Sequence, residues 1–260
     1  MNSVNKTLYI PLYGKAMVSA KGIILSDQTA ERIWEQNKFP LKRKSRSKWL
    51  AYFMAMRAKV FDEWTSSNLK AMPNATVLHI GCGLDSRVER IDGFKHTWYD
   101  IDFDDVITER KKYFSDCDGY SMLCGDAKNP LWLNEVNGDN AIVILEGISM
   151  YLKLDDLQNL FASLQARFKS VKILMDIYTP FGAKMTKVKN PVNDVGVTEV
   201  YGIAKPTLPT EKCNIHFINE REMTPKALVN QLKGWERFFF RMMFAGGFAK
   251  RIYRLYEYET

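Results

Sequence analysis

The chain has 260 residues, of which 46% are hydrophobic and 13% aromatic, enough to bury a sizeable core in one large domain with an appendage. A formal net charge of +7 favours anionic partners of any kind (acidic metabolites, nucleic acid, a membrane surface) without choosing among them. No internal repeat, low-complexity tract, CxxC pair, metal-ligand spacing or membrane-spanning apolar run is found, which argues against a repeat array, a disordered chain, a zinc site and a transmembrane protein.

Residues 26–38 predict a helix, with Ser26 or Asp27 able to cap it and Ala30, Ile33 and Trp34 forming its apolar stripe. Pro40 stops it. The basic run Lys42-Arg43-Lys44-Ser45-Arg46-Ser47-Lys48 comes next, then a second helix from about Trp49 to Leu69 in which Leu50, Phe53, Met54, Val60, Phe61 and Trp64 recur at helical spacing. Residues 1–70 therefore read as a helical cap. After Pro73 the pattern changes: Thr76–Ile80 is a short apolar run ending at glycine, as expected for a buried parallel strand. Similar runs follow at 96–101, 120–124, 141–145 and 171–177, with helical patterns such as 154–168 between them. That alternation predicts βαβ units and a parallel sheet over residues 71–178. Residues 179–212, rich in Pro, Gly, Lys and Thr, read as an insertion after the fifth strand. In 213–260, strands at 214–218 and 252–258 are expected to close the sheet around a helix from Pro225 to about Phe244.

In an open parallel sheet, ligands sit beyond the carboxyl ends of the strands, where strand order reverses. The first strand ends in Gly81-Cys82-Gly83-Leu84-Asp85-Ser86-Arg87, whose glycines allow a sharp turn and close approach to a ligand. The next ends in Trp98-Tyr99-Asp100-Ile101-Asp102. Asp102, nearer the strand end, is the candidate acceptor for both ribose hydroxyls of a nucleoside, with Asp100 as an N-cap or loop anchor. Asp126, in Cys124-Gly125-Asp126-Ala127, follows the third strand and can accept from an adenine amino group. A dinucleotide site would prefer a third glycine where Ser86 stands, and the Asp85 carboxylate would repel pyrophosphate. The same carboxylate suits the ammonium of a methionyl group, so S-adenosylmethionine is the expected cofactor and S-adenosylhomocysteine its product.

These segments, Thr76–Arg87, Trp98–Phe103 and Glu146–Leu152, resemble the leucine carboxyl methyltransferase family, and within it the tetracenomycin-type polyketide O-methyltransferase branch. The opening Thr7–Ala16 resembles that branch as well, with Lys15 where arginine is more usual. The resemblance spans roughly residues 7–178 and thins out beyond. It implies a Rossmann-like class I methyltransferase fold, with a mostly parallel seven-stranded sheet. It implies that Arg57 holds the cofactor carboxylate, that Glu146 lies near the methionyl end, and that Tyr151 lies near the methyl-transfer centre. The expected cofactor set is thus Arg57, Gly81, Cys82, Gly83, Asp85, Asp102, Asp126, Ala127 and Glu146, with Tyr151 as a positioning residue and no metal. Asp104 departs from the family's usual proline.

Methyl transfer from a sulfonium is an in-line displacement in which the protein aligns the reactants and excludes water. A carboxylate acceptor is already ionised at neutral pH and needs no base. No His–Asp or Lys–Asp pair stands out as one; His216 is the best candidate, whereas His79 reads as core. The expected reaction is therefore O-methylation of a carboxylate, or a hydroxyl, on a small acidic or polyketide-like metabolite. Cys82, Cys117, Cys124 and Cys213 read as free thiols, and the opening residues lack a signal-peptide layout, so a cytoplasmic location is expected. Competing readings are a nucleic-acid methyltransferase or binder, from the run at 42–48; a membrane-surface protein, from the aromatic and basic stretch 235–258; and a non-catalytic cofactor binder.

Overall fold

A computed structural model describes residues 8–37, 39, 41, 45–186 and 199–260. The opening Met1–Thr7, Lys38, Pro40, the Lys42–Lys44 half of the basic run and residues 187–198 of the predicted insertion lie outside the described residues.

Three helices come first: α1 (Tyr9–Ala20), α2 (Gln28–Gln36) and α3 (Lys48–Ala71). Pro11 is tolerated in α1 because it sits in the first turn, where no backbone donor is needed. Asp27 caps α2 by accepting from the Ala30 N–H at 2.8 Å. The expected strands form next, as β1 (Thr76–Ile80), β2 (Trp98–Asp102), β3 (Tyr120–Cys124), β4 (Asn140–Leu145) and β5 (Ser170–Tyr178). Between them lie α4 (Arg87–Arg90), α5 (Asp104–Arg110) and α6 (Leu154–Arg167). After β5 come α7 (Pro180–Thr186), β6 (His216–Arg221), α8 (Lys226–Val229), α9 (Gly234–Phe244), α10 (Gly247–Ile252) and β7 (Tyr253–Glu259). The single helix expected over 225–244 is thus two, broken where Gly234 takes a left-handed φ of +50°.

The seven strands form one sheet in the order β3-β2-β1-β4-β5-β7-β6. β1 to β5 pair in parallel, and β7 runs antiparallel to both β5 and β6. This is the Rossmann-like arrangement expected, and its order reverses between β1 and β4. Both sheet faces are covered, which is why β1 and β4 read as unbroken apolar runs. Alternate residues divide between the two faces: Val77, Ile142 and Leu174 join Phe61 and Trp64 of α3 on one side, whereas Leu78, Val143 and Ile173 meet Leu157, Phe161 and Leu164 of α6 on the other. The N-terminal helices therefore share a core with the sheet and form one of its layers.

Candidate cofactor and acceptor site

At the switch point between β1 and β4, a cavity of about 740 Å³ opens beyond the carboxyl ends of the strands. Its wall brings together the whole expected cofactor set, Arg57, Gly81, Cys82, Gly83, Asp85, Asp102, Asp126, Ala127 and Glu146, together with Tyr151. The volume lies within the range of roughly 300–1,000 Å³ usual for small-molecule sites.

The glycine loop is shaped by its neighbours. Gly81 has φ +73°, and a Cβ there would sit 2.1 Å from Ile148 Cγ2, so no other residue fits without moving the β4 loop. Gly81 N–H donates to Ile101 O at 2.7 Å. Gly83 N–H donates to Asp102 Oδ2 at 2.8 Å, and Phe103 N–H donates to Asp102 Oδ1 at 2.8 Å. The Asp102 carboxylate thus ties the loop to the end of β2 while lining the cavity. Burial pushes its pKa up to about 6, against the lowering effect of those two N–H groups. Two ribose hydroxyls donated to it would favour the ionised form and release the proton. Affinity for S-adenosylhomocysteine is then expected to rise with pH through about 6 and to level off above it. Binding at pH 5 should be roughly tenfold weaker than at pH 7 by calorimetry; a flat profile would mean that this carboxylate does not meet the ribose.

Asp100, two residues earlier, faces the core. Its carboxylate accepts from Trp98 Nε1 at 2.9 Å, His79 Nδ1 at 3.0 Å, Tyr120 Oη at 2.7 Å and the Arg110 guanidinium. Burial alone would raise its pKa, but Arg110 and the donors from His79 and Trp98 outweigh this and hold it down to about 2. Arg87 Nη1 lies 3.3 Å from His79 Nε2 and can only donate, so Nε2 accepts and the ring proton sits on Nδ1. His79 is core, as expected.

At the cavity wall lies a buried ion network that joins the N-terminal helices to the sheet. Lys15 pairs with Asp85 at 2.8 Å, and Arg90 pairs with Asp85, Asp27 and Asp62 at 2.7, 2.7 and 2.9 Å. Arg87 bridges Asp62 and Glu146. Arg57 donates to Glu146 at 2.9 Å, Asp176 at 2.7 Å and the Tyr253 hydroxyl at 3.1 Å, and its Nη2 lies over Gly147. Asp85, expected to meet a cofactor ammonium, is ion-paired within this network, as Glu146 is through Arg57 and Arg87. Both its oxygens are taken by Lys15 and Arg90; burial would raise its pKa, but Arg90, Lys15 and Arg87 hold it well below the usual carboxylate range. Four cations (Lys15, Arg57, Arg87, Arg90) face five acids (Asp27, Asp62, Asp85, Glu146, Asp176), so the cluster has one acid in excess. That excess suits a ligand of net positive charge.

Lys15 is the main residue that the sequence reading left out of the site. It is buried on the cavity wall, and burial lowers its pKa against the pull of Asp85. The available signal was a single cation inside an otherwise apolar helix. Asp126 lines the cavity and accepts from Lys128 N–H at 2.9 Å. Asp104, in place of the family's proline, begins α5, where its negative charge suits the helix N-terminus. His216 is exposed on the edge strand β6 and is not part of the cavity wall, so the base candidate is corrected.

The cavity wall also carries an apolar and aromatic set, Leu50, Phe53, Met54, Met150, Tyr178, Tyr201, Met243, Phe244 and Phe248. Glu199 lines the cavity too, and it accepts from the Tyr201 hydroxyl at 2.9 Å.

Residues 3–119 match the leucine carboxyl methyltransferase family. Over 209 residues the chain is 28% identical to the tetracenomycin polyketide synthesis O-methyltransferase TcmP of Streptomyces glaucescens, covering 79% of this chain and 77% of that protein. Among solved structures, one from Thermobifida fusca YX superposes with a TM-score of 0.57 at 9% identity, covering 80% of this chain and 81% of that one. The magnesium protoporphyrin IX methyltransferase (ChlM) of Synechocystis PCC 6803, with bound SAH, gives 0.50 at 10% identity over 89% and 93%. At these identities the structures share the fold.

Proposed function

We propose, for this S-adenosylmethionine-dependent methyltransferase related to the leucine carboxyl methyltransferase family, that it O-methylates the carboxylate of a polyketide-like, largely apolar and aromatic acceptor. The observation that carries the reading is that one cavity wall combines a buried ion network with a set of apolar and aromatic side chains. When bound, S-adenosylmethionine supplies an electrophilic methyl group on a sulfonium sulfur. Asp102 accepts the ribose hydroxyls, and Asp126 and Ala127 border the adenine. Lys15 and Arg57 receive the cofactor carboxylate, and Glu146 the ammonium. Asp85 acts through Lys15, holding it in place. The one-acid excess of the buried network favours the positively charged methyl donor over its neutral product, which helps release after transfer.

The apolar part of the wall offers water few polar partners where the acceptor oxygen approaches. A carboxylate there needs no base, and the sulfonium itself is its counter-charge. Tyr151, on the cavity wall, orients the acceptor. A hydroxyl acceptor is the second reading, favoured by Glu199, whose carboxylate is placed to take a proton. Labelled cofactor with aromatic carboxylic acids and matched phenols separates the two. Esters release their label in mild alkali, and ethers retain it. Alkali-labile product is expected; exclusively alkali-stable product would show that hydroxyl is the acceptor, and it should then disappear in Glu199→Gln.

The nucleic-acid reading gains no support from the described end of the basic run. Lys48 is paired with Glu236 at 2.7 Å, and Trp49 and Tyr52 pack edge-on against each other beside α9. No helix among the described residues is long and apolar enough to cross a membrane.

A further inference from the structure

Five of the large exposed apolar side chains among the described residues, Trp235, Phe238, Met242, Met243 and Phe248, fall on α9 and α10. Trp235, Phe238 and Met242 of α9 recur at helical spacing and are 64%, 67% and 55% exposed. The opposite stripe of the same helix is internal: Phe240 is fully buried, stacked on Phe244 and edge-on to Tyr52. Packing against the body of the protein therefore uses one face of α9 and leaves an aromatic face outside. Phe181 of α7 continues that surface, its ring 6.5 Å from that of Phe248 on α10. Met243 and Phe248 are exposed yet also line the cavity, so the patch runs into the cavity mouth. Contiguous apolar surface of this kind usually marks an interaction site.

The cations within the patch indicate its partner. Arg237, Arg241, Lys250 and Arg251 are exposed among these side chains, and the Arg251 guanidinium lies over the Phe181 ring at 5.3 Å. The acid of α9, Glu236, is turned inward to Lys48 and the Tyr52 hydroxyl. Among the described residues, Lys250 has a carboxylate nearby, Glu222 at 3.5 Å, whereas Arg237 and Arg241 have none within ion-pair distance. A second copy docked face to face would bring like charges together, because a two-fold interface sets each patch against itself. A negatively charged, apolar-cored surface meets both requirements.

We propose that this face docks on anionic lipid bilayers. α9 lies in the interfacial plane, with Trp235, Phe238 and Met242 at the acyl boundary and Arg237 and Arg241 among the headgroups. The cavity mouth at Met243 and Phe248 then opens toward lipid, and an apolar acceptor dissolved in the bilayer enters without crossing water. Docking itself is independent of which acceptor oxygen is methylated.

The test is co-sedimentation of the full chain with vesicles of phosphatidylglycerol and phosphatidylcholine, against phosphatidylcholine alone. Strong partition is expected only with the anionic vesicles. Arg237→Gln with Arg241→Gln should lower it roughly thirtyfold, at about 1 kcal/mol per cation near the surface. Trp235→Glu with Phe238→Glu should lower it by at least on the order of tenfold. Calorimetric binding of S-adenosylhomocysteine should be unchanged in both variants, which shows that they fold. Absence of partition by the wild-type chain, or equal partition by the variants, overturns the proposal. So does concentration-dependent self-association abolished by the same substitutions, which would assign the face to a second copy.

Discussion

Asp102→Ala is expected to weaken S-adenosylhomocysteine binding by on the order of a hundred- to a thousandfold while leaving the melting temperature nearly unchanged. The carboxylate stands at the end of β2 and accepts from Gly83 N–H and Phe103 N–H. In the proposed complex it also takes two ribose hydroxyls. Hydrogen bonds to a charged group contribute about 1.5–3 kcal/mol each, and two near the lower end of that range, as at an open cavity wall, cost about 3–4 kcal/mol of binding. The two backbone donors left behind are at the cavity wall, where water can reach them, and this keeps the cost to folding small. Calorimetry and a thermal melt on the same preparation read both quantities. Near-wild-type affinity in the variant would place the ribose elsewhere.

Asp100→Ala should do the reverse, lowering stability by about 3–5 kcal/mol and leaving the affinity of the folded fraction close to that of the wild type. The side chains of Asp100 and Arg110 are both fully buried. Removing the acid leaves an uncompensated guanidinium in the interior, and it also strips acceptors from Trp98, His79 and Tyr120. For a chain of this size the melting temperature should fall by on the order of 10 °C. The native carboxyl titrates near 2, below its unfolded value, so the native state binds fewer protons between those values. The resulting stabilisation, about 2.5 kcal/mol, is fully present above about pH 5 and is lost as pH falls through about 4 toward 1. An Asp100→Ala chain should lose that part of the wild type's acid sensitivity. Unchanged stability would show that the buried pair is dispensable.

These two aspartates show where sequence reading succeeds and where it stops. They share a strand face by parity and differ by one turn of the pleat; position alone placed Asp102 at the strand end, whereas Asp100, read as an N-cap or loop anchor, proves to be a buried core acid. The core partner of Asp100, Arg110, is ten residues away on the next helix, and nothing in local pattern announces it. The glycine loop was legible because turn geometry is local: Gly81 takes φ +73° against Ile148. The charge on Asp85 was not, because its partners Lys15 and Arg90 come from a different helix and the following one. His216 looked like a base by residue type, and only the sheet order, with β6 at the edge, moves it away from the chemistry. The continuous apolar pattern over 225–244 hid a break at Gly234, since a left-handed glycine interrupts a helix without disturbing its apolar spacing.

By itself the sequence determined the alternation of strands and helices, the cofactor loop and the acids at successive strand ends. All of these follow from short-range rules of period, turn and strand polarity. Only the tertiary structure decided how the charges pair, that the N-terminal helices form a layer of the sandwich, and that α7, α9 and α10 bring an aromatic and cationic face to the cavity mouth. Those outcomes depend on contacts between residues tens to hundreds of positions apart. The energies involved are set by burial and by which partner arrives, and neither is encoded in any one segment.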